Sequence, residues 1–252
     1  MLNERLEDGI IIATFEYGKT NSLTLEMLRT LRSIVKKANE DDAVKGIVLT
    51  GAGRSFCSGF DLPMFMGFKD LNEVTTFFEE AEQILVELFE CRKPVVSAIN
   101  GHAIAGGLIF AMASDYRVVS NHPKITLGMS EIKLGLALSV AQSEIMQFGY
   151  DSKKKFRDLM YFGKMFNVEA AKEYGIADEL VDGANLLPRA KEVVKAWIDH
   201  PGRAFIKLKE GLKKPTADRI RKRLAEEDWK PAFQCFFDKD VRQAIEFVMA
   251  MM

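Results

Sequence analysis

Short, uninterrupted apolar runs recur along the chain, and they restrict the class of fold more than any other feature of the sequence. They are "IIIATF" at residues 10–15 and then "AVKGIVLTG", "KPVVSAIN", "YRVVS" and "KITLG". Runs this short and this rich in β-branched residues predict strands buried on both faces. Helical apolar spacing occupies residues 22–38, with Ser22 as the predicted cap, and residues 71–89 and 107–113. The alternation predicts an α/β fold with mostly parallel strands.

The last third of the chain has a different pattern. "NVEAAKEYGIADELV" predicts a helix capped by Asn167 and ended by Gly175, with a short strand after it. Beyond residue 186 the spacing is helical to the end. We therefore expect an α/β core over residues 1–195 and a helical C-terminal region over residues 196–252.

Charge and cysteine content narrow the function classes. The 252 residues include 35 basic and 36 acidic side chains, for a formal net charge of −1. This balance argues against a nucleic acid or a membrane surface as an electrostatically held partner. Three separated cysteines without CxxC spacing predict free thiols and no metal site. With a charged first segment and no apolar run of membrane-spanning length, we expect a cytoplasmic globular protein.

Two glycine-rich loops each follow a predicted strand: "TGAGRSFCSGFD" and "NGHAIAGG". The first does not fit a nucleotide motif, because Phe56 stands where a dinucleotide fingerprint needs glycine and no GK[ST] ending is present. Backbone N–H groups in the first turn of a helix lack intrahelical partners and lie at the positive end of its dipole. Ser58 and Gly106 occupy such positions, so their N–H groups could converge into an oxyanion hole. Two unrelated tight turns remain the alternative.

Five segments, taken together, resemble the crotonase (enoyl-CoA hydratase/isomerase) superfamily. They are "GRSFCSGFD", "PVVSAINGHAIAGG", "SDYRVV", "LGMSEIKLGL" and "AAKEYGIADELV", in the family's order and spacing. The resemblance implies a crotonase-like spiral of ββα units with a helical C-terminal trimerisation region. It also implies an acyl-CoA substrate, no further cofactor, and a homotrimer or a dimer of trimers. The N–H groups of Ser58 and Gly106 would bind the thioester oxygen.

The residues at two positions, which are both glutamate in the family's hydratases, distinguish water addition from isomerisation. Hydratases of the family carry two glutamates; here one position holds Ile109 and the other keeps Glu131. Adding water to a double bond divides its work between two carboxylates, whereas moving the bond needs one group that takes a proton and returns it. An apolar Ile109 also disfavours a held water and raises the pKa of a nearby glutamate. The pattern is similar to Δ3,Δ2-enoyl-CoA isomerases and predicts a shift of a 3-enoyl-CoA double bond to the 2-enoyl position.

Two alternatives stay open. One is an enoyl-CoA hydratase or another crotonase-type lyase or hydrolase with an unusual site. The other, from a different functional class, is an acyl-CoA-binding paralogue without turnover.

Further residues are candidates for contact with substrate or for structural roles. The predicted substrate-binding set is Phe60, Asp61, Met64, Phe68, Ile109 and Leu134, although Asp61 also suits a helix cap and the Met64–Phe68 cluster also suits a core. We expect His102 to lie near the CoA channel rather than to act as a base. Phe233, Phe236 and Phe237 could meet a neighbouring subunit or close the pocket. The lysine-rich residues 207–223 predict a solvated helix face, with a phosphate contact as the alternative.

Overall fold

Strands and helices alternate over the first 181 residues of the computed structural model, which describes residues 1–251. The described strands are β1 (Leu2–Glu7), β2 (Ile10–Phe15), β3 (Gly46–Gly51), β4 (Ser55–Cys57), β5 (Val95–Ile99), β6 (His102–Ile104), β7 (Tyr116–Ser120), β8 (Leu127–Gly128), β9 (Met165–Phe166) and β10 (Glu179–Val181). The described α-helices are α1 (Leu25–Glu40), α2 (Leu62–Gly67), α3 (Leu71–Phe89), α4 (Gly106–Ala113), α5 (Val140–Phe148), α6 (Lys153–Phe162), α7 (Val168–Tyr174), α8 (Leu186–Ile198), α9 (Phe205–Glu226) and α10 (Lys239–Met251). Short 3-10 helices cover Glu131–Leu134, Gly183–Asn185, Pro201–Arg203 and Lys230–Phe237.

The strands form two sheets that are wound together. The larger has the order β1-β2-β3-β5-β7-β10 and the smaller has the order β4-β6-β8-β9. Each of the pairs β3–β4, β5–β6 and β7–β8 places its first strand in the large sheet and its second in the small sheet, and a helical segment follows. This repeated step is the predicted spiral of ββα units. Apart from the antiparallel pairs β1–β2 and β8–β9, the strands are parallel, as expected.

Four of the five uninterrupted apolar runs are explained by burial on both faces of the large sheet; the fifth, "KITLG", contains the two-residue strand β8 of the small sheet. Along β2, Ile11 and Ala13 face the main core, whereas Ile10 and Ile12 face a second cluster beneath α8. Because successive strand residues point to opposite faces, a strand covered on both sides must be apolar at every position.

The N-terminal end of the structure contains one strand that was not predicted and one helix cap that was predicted wrongly. β1 was not predicted because its sequence, "LNERLE", is exposed at most positions; it pairs with β2 as a charged edge strand. The cap of α1 is Thr24, whose side chain accepts a hydrogen bond from the Met27 N–H, and not Ser22. The side chain of Ser22 is instead 3.2 Å from the Ser58 hydroxyl.

The C-terminal region folds back over the rest of the same chain. Arg242 of α10 donates a 2.9 Å hydrogen bond to the carbonyl of Met66 in α2, which joins this region to the core. It donates a second bond, of 3.4 Å, to the carbonyl of Phe236 in its own region. The boundary predicted between residues 195 and 196 falls inside α8, which packs on the large sheet. The division into two units at that point stays a prediction.

The lysine-rich stretch is only partly the solvated face that its composition predicts. Lys209 and Lys213 are buried, and their ammonium groups lie 2.6 and 2.7 Å from the two carboxylate oxygens of Asp115. Lys213 also donates to the Ala113 carbonyl at the end of α4. Burial, together with the neighbouring Lys209, lowers the pKa of Lys213 to about 8, although the attraction of Asp115 acts in the opposite direction. These two lysines hold α9 against the core.

None of the helices described in residues 1–251 is both long and apolar enough to cross a membrane. The same residues contain no group of three or more histidine, cysteine or acidic side chains arranged to hold a metal ion.

The Asp115 cluster predicts a large difference between two superficially similar substitutions. Asp115→Asn leaves two buried ammonium groups without their counter-ion and should lower the free energy of unfolding by about 3 kcal/mol or more. Asp218→Asn removes an exposed partner of Lys214 and should cost about 0.5 kcal/mol or less. Urea unfolding of both variants measures the difference. Equal, small losses would show that the cluster does not stabilise the fold.

Candidate active site

The two glycine-rich loops meet, as their sequences predict. They do so because β4 and β6 are neighbours in the small sheet and run parallel, so the residues after each strand emerge side by side. A Cβ atom at Gly107 would lie 2.1 Å from the Cys57 carbonyl oxygen, and one at Gly59 would lie 3.0 Å from the Gly106 nitrogen. Glycine is therefore required for this close approach of two backbones.

Gly106 presents the N–H group that the sequence predicts. It is the first residue of α4, and within residues 1–251 its N–H donates to no acceptor. Ala105 before it has φ 55° and ψ −131°, a backbone conformation that residues with a side chain rarely adopt. Strain of this kind persists where the surrounding structure enforces it, often beside a functional group.

The N–H group of Ser58 is placed differently. It lines the same space, but it donates a 3.0 Å hydrogen bond to the Thr20 carbonyl. The loop that carries Thr20 is fixed by Asn21, whose buried side chain donates to the carbonyls of Ala52 and Ser55. A substrate oxygen that binds both N–H groups would therefore have to replace the Thr20 carbonyl at Ser58.

Both loops border an apolar cavity of about 380 Å³. Its walls come from the two loops, α4, the segment that follows β8 and the C-terminal helices. The lining residues are Thr20, Ser58, Phe60, Leu62, Phe65, Phe78, Ile104, Ala105, Gly106, Ile109, Ser130, Glu131, Leu134, Leu136, Ala137, Gln142, Met165, Phe236 and Val248. Of these, Glu131 alone carries a carboxylate.

Glu131 begins the 3-10 helix that follows β8. Its Oε2 atom is fully buried and has no hydrogen-bond partner within residues 1–251. Burial raises the pKa of Glu131 to about 7, although the backbone N–H groups of Glu131 and Ser130 act in the opposite direction. A carboxyl group with this pKa is present in both its charged and its neutral form near neutral pH, as a group that takes and returns a proton requires.

Ile109 lies on α4, three residues after Gly106, and is buried in the cavity wall. Its side chain offers no hydrogen bond to a water molecule. Its presence in the same cavity as Glu131 also contributes to the apolar surroundings that disfavour the charged carboxylate.

The structure brings together most, but not all, of the predicted site residues. Glu131, Ser58, Gly106, Phe60, Ile109 and Leu134 line the cavity. Asp61, Met64 and Phe68 do not: Asp61 occupies the N-cap position of α2, and the other two pack against the main core. A contact of these three with substrate stays a prediction.

Little in the sequence indicated that several of the lining residues belong to the cavity. Phe78 lies on the predicted helix α3, and Gln142, Met165 and Val248 come from segments far apart in the chain. Phe236 closes part of the cavity of its own chain, one of the two roles expected for the C-terminal phenylalanines. Only the aromatic richness of residues 233–237 could have indicated this wall.

Two other reactive side chains are not placed for catalysis. The Nδ1 atom of His102 accepts a hydrogen bond from the Thr126 N–H, and His102 does not line the cavity. Burial raises the pKa of the Cys57 thiol to about 12, which keeps it neutral and poorly nucleophilic.

A larger groove, of about 870 Å³, lies between α1, the end of α3 and α9. Charged side chains line it, and many of them pair with one another, such as Arg32 with Glu87 and Lys207 with Glu210. It lacks the combination of an apolar wall, a free backbone donor and an unpaired carboxyl oxygen. The smaller cavity is therefore the candidate active site.

Comparisons with known proteins identify the family of the chain. The family model described as enoyl-CoA hydratase/isomerase matches residues 5–248. The mitochondrial enoyl-CoA delta isomerase 1 of Mus musculus is 28% identical over 215 residues, which cover 85% of this chain and 74% of that protein. A probable enoyl-CoA hydratase of Mycobacterium leprae is 33% identical over 181 residues, which cover 68% of this chain and 59% of that protein.

The fold is similar to that of solved structures as well. The crystal structure of human mitochondrial Δ3-Δ2-enoyl-CoA isomerase superposes with a TM-score of 0.90 and covers 99% of this chain and 97% of that one. At 22% identity this likeness establishes the fold alone.

The burial of Glu131 predicts a measurable titration. In protein labelled with ¹³C at glutamate carboxyl groups, two resonances should titrate with midpoints of about 7, because burial also raises the pKa of Glu82 on α3 to about 7. The resonance that belongs to Glu131 should disappear in Glu131→Gln. A midpoint near the ordinary glutamate value of about 4.3 would show that the carboxylate is solvated.

Proposed function

The chain belongs to the enoyl-CoA hydratase/isomerase family, and we propose that within it the protein is an isomerase that converts 3-enoyl-CoA thioesters to 2-enoyl-CoA thioesters. The observation that carries the proposal is the single carboxyl group of the cavity, Glu131, with the apolar Ile109 in the same wall. The fold and the family are common to isomerases and hydratases, so the assignment depends on these two residues.

The proposed reaction begins with binding of the thioester oxygen. The Gly106 N–H donates to it at the positive end of α4, and the Ser58 N–H joins when the oxygen replaces the Thr20 carbonyl. The Glu131 carboxylate then removes a proton from C2 of the acyl chain. The C2–H electron pair moves toward the thioester carbonyl, and the two N–H groups stabilise the enolate oxygen.

The second half of the reaction uses the same carboxyl group. Protonated Glu131 delivers its proton to C4, the double bond settles between C2 and C3, and the thioester carbonyl is restored. Atoms and charge balance without any other reactant, so we propose that no cofactor or metal ion takes part. The apolar walls of the cavity suit an unsubstituted hydrocarbon chain.

Hydration is the second candidate reaction, and the Mycobacterium leprae relative, described as a probable hydratase, favours it. Water addition needs a water molecule held and activated beside C3. Ile109 supplies no group for that task, which is why we place isomerisation first. A silent acyl-CoA binder is a third candidate, favoured by the Ser58 N–H, which is already hydrogen-bonded to Thr20.

The proposal also covers the oligomeric state of the protein and its location in the cell. We propose a homotrimer or a dimer of trimers in the cytoplasm, with acyl-CoA as the ligand and neither nucleic acid nor membrane as a partner. Light scattering of the purified protein distinguishes a trimer from a hexamer and both from a monomer.

Parallel assays distinguish the three candidates. Purified protein with trans-3-hexenoyl-CoA should form the conjugated 2-enoyl thioester, seen by ultraviolet absorbance, and with crotonyl-CoA it should show negligible hydration. Glu131→Gln should lower isomerisation by about 10³-fold or more, because the proton-transfer group is lost. The matched control Glu173→Gln changes an exposed glutamate of α7 and should retain full activity.

Two other outcomes of these assays would identify a different function. Crotonyl-CoA consumption that depends on Glu131 would identify a hydratase. Tight acyl-CoA binding with no turnover of either substrate would identify a binding protein.

The raised pKa of Glu131 fixes the direction of the pH dependence. Because the carboxylate form starts the reaction, kcat/KM should rise about tenfold per pH unit below 6 and level off above a midpoint of about 7. Initial rates between pH 5 and 8.5 measure this profile. A profile that is flat across this range would exclude Glu131, with its raised pKa, as the base.

A further inference from the structure

A second carboxylate is buried one helical turn beyond the cavity. Glu82 lies on α3, four residues after the cavity-lining Phe78, and is only 1% exposed. One oxygen accepts a hydrogen bond from the Ser139 hydroxyl, and the other accepts a 2.6 Å bond from the Ala141 N–H. Its carboxylate therefore caps the first turn of α5 from a neighbouring helix.

Glu82 has no ionic partner within residues 1–251. The charged groups on the elements that pack around it are engaged with one another: Glu79 of α3 with Lys230, and Glu144 of α5 with Arg219 and Arg223 of α9. Burial raises the pKa of Glu82 to about 7, opposed by the hydrogen bonds from Ser139, Ala141 and Gln142. An ionisable group held in such surroundings is costly when its only task is to cap a helix, which a serine or asparagine side chain does without charge.

The segment that Glu82 holds connects Glu131 to α5. After the 3-10 helix, Leu136 and Ala137 line the cavity, and so does Gln142 in the first turn of α5. Within the described residues the N–H groups of Ala137 and Leu138 donate to no backbone acceptor, so no sheet or helix fixes this stretch. Its C-terminal end is fixed by Glu82, and the Gln142 side chain accepts from the Ser139 N–H at the same point.

We propose that Glu82 is a positioning residue: it anchors the start of α5, and through residues 136–142 it keeps the cavity wall closed around the carboxyl group of Glu131. This inference rests on the proposed function for its kinetic consequence, but not for its structural one. Without the anchor, the wall loosens, water reaches the Glu131 carboxylate, and the proton-transfer geometry is lost.

The variant Glu82→Met tests this directly, because its side chain has a similar length but no oxygen that can accept from the Ser139 hydroxyl or the Ala141 N–H. The pKa of Glu131, measured by ¹³C NMR, should fall from about 7 to about 6 or lower as water enters. The kcat of isomerisation should fall about tenfold or more, with KM changed less than about threefold. Ser139→Ala removes one of these two partners of Glu82 and should produce smaller changes in the same directions.

The matched control is Glu144→Met on α5, the helix whose first turn Glu82 caps. Glu144 pairs with Arg219 and Arg223 on the side of α5 that faces α9, away from the cavity lining. This variant should leave the pKa of Glu131 and the kcat unchanged.

The proposal is overturned if Glu82→Met folds and leaves both the pKa of Glu131 and the kcat unchanged. If that variant does not fold, Ser139→Ala decides, and an unchanged Glu131 pKa in it overturns the proposal. If the wild-type protein does not isomerise any enoyl-CoA, the proposed function fails, and the NMR comparison of the variants still tests the anchoring by Glu82.

Discussion

The main physical constraint on this site is the Glu131 carboxyl group, which has one oxygen fully buried and unpaired in an apolar cavity. Leaving a polar atom without a partner costs the full desolvation of that atom, so such atoms are rare in folded proteins. Since folding raises the pKa of this acid, the native state is favoured below the unfolded-state pKa, and that stability is lost as the pH rises through about 7. Under the proposed function, this loss of stability is a consequence of keeping the carboxyl oxygen free to exchange a proton with the substrate.

The arrangement of the two sheets places a backbone N–H group in the same cavity as Glu131. The parallel pairing of β4 with β6 delivers two loop backbones to one point, and the glycines there let them approach within contact distance. The strained turn at Ala105 then aims the Gly106 N–H into the cavity. Of the twenty side chains, only proline removes a backbone N–H group. Under the proposed function, the topology would therefore fix the oxyanion site, and a few side chains such as Ile109 would select the reaction.

Much of this could be predicted from the sequence, because it depends on local patterns. Four of the five uninterrupted apolar runs identify strands of the large sheet, and α3 has the bounds that its spacing predicts. Spacing and resemblance placed Glu131, Ile109 and the two loops in one site. What could not be predicted depends on tertiary contacts: the hydrogen bond from Ser58 to Thr20, the burial of Lys209 and Lys213 on Asp115, and the cavity wall supplied by Phe236 and Val248. The edge strand β1 was missed for a different reason, since an exposed strand has no need of an apolar face.

The central claim is that one carboxyl group carries the same proton from C2 to C4. Its most direct test is the fate of the isotope when 3-hexenoyl-CoA labelled with deuterium at C2 is converted in ordinary water and the 2-enoyl product is analysed by NMR. With the acyl chain filling the cavity, Glu131 should return a substantial share of the deuterium to C4. A product with only solvent hydrogen at C4, or a 3-hydroxyacyl product, would contradict the account, because a second group or a water molecule would then have completed the reaction.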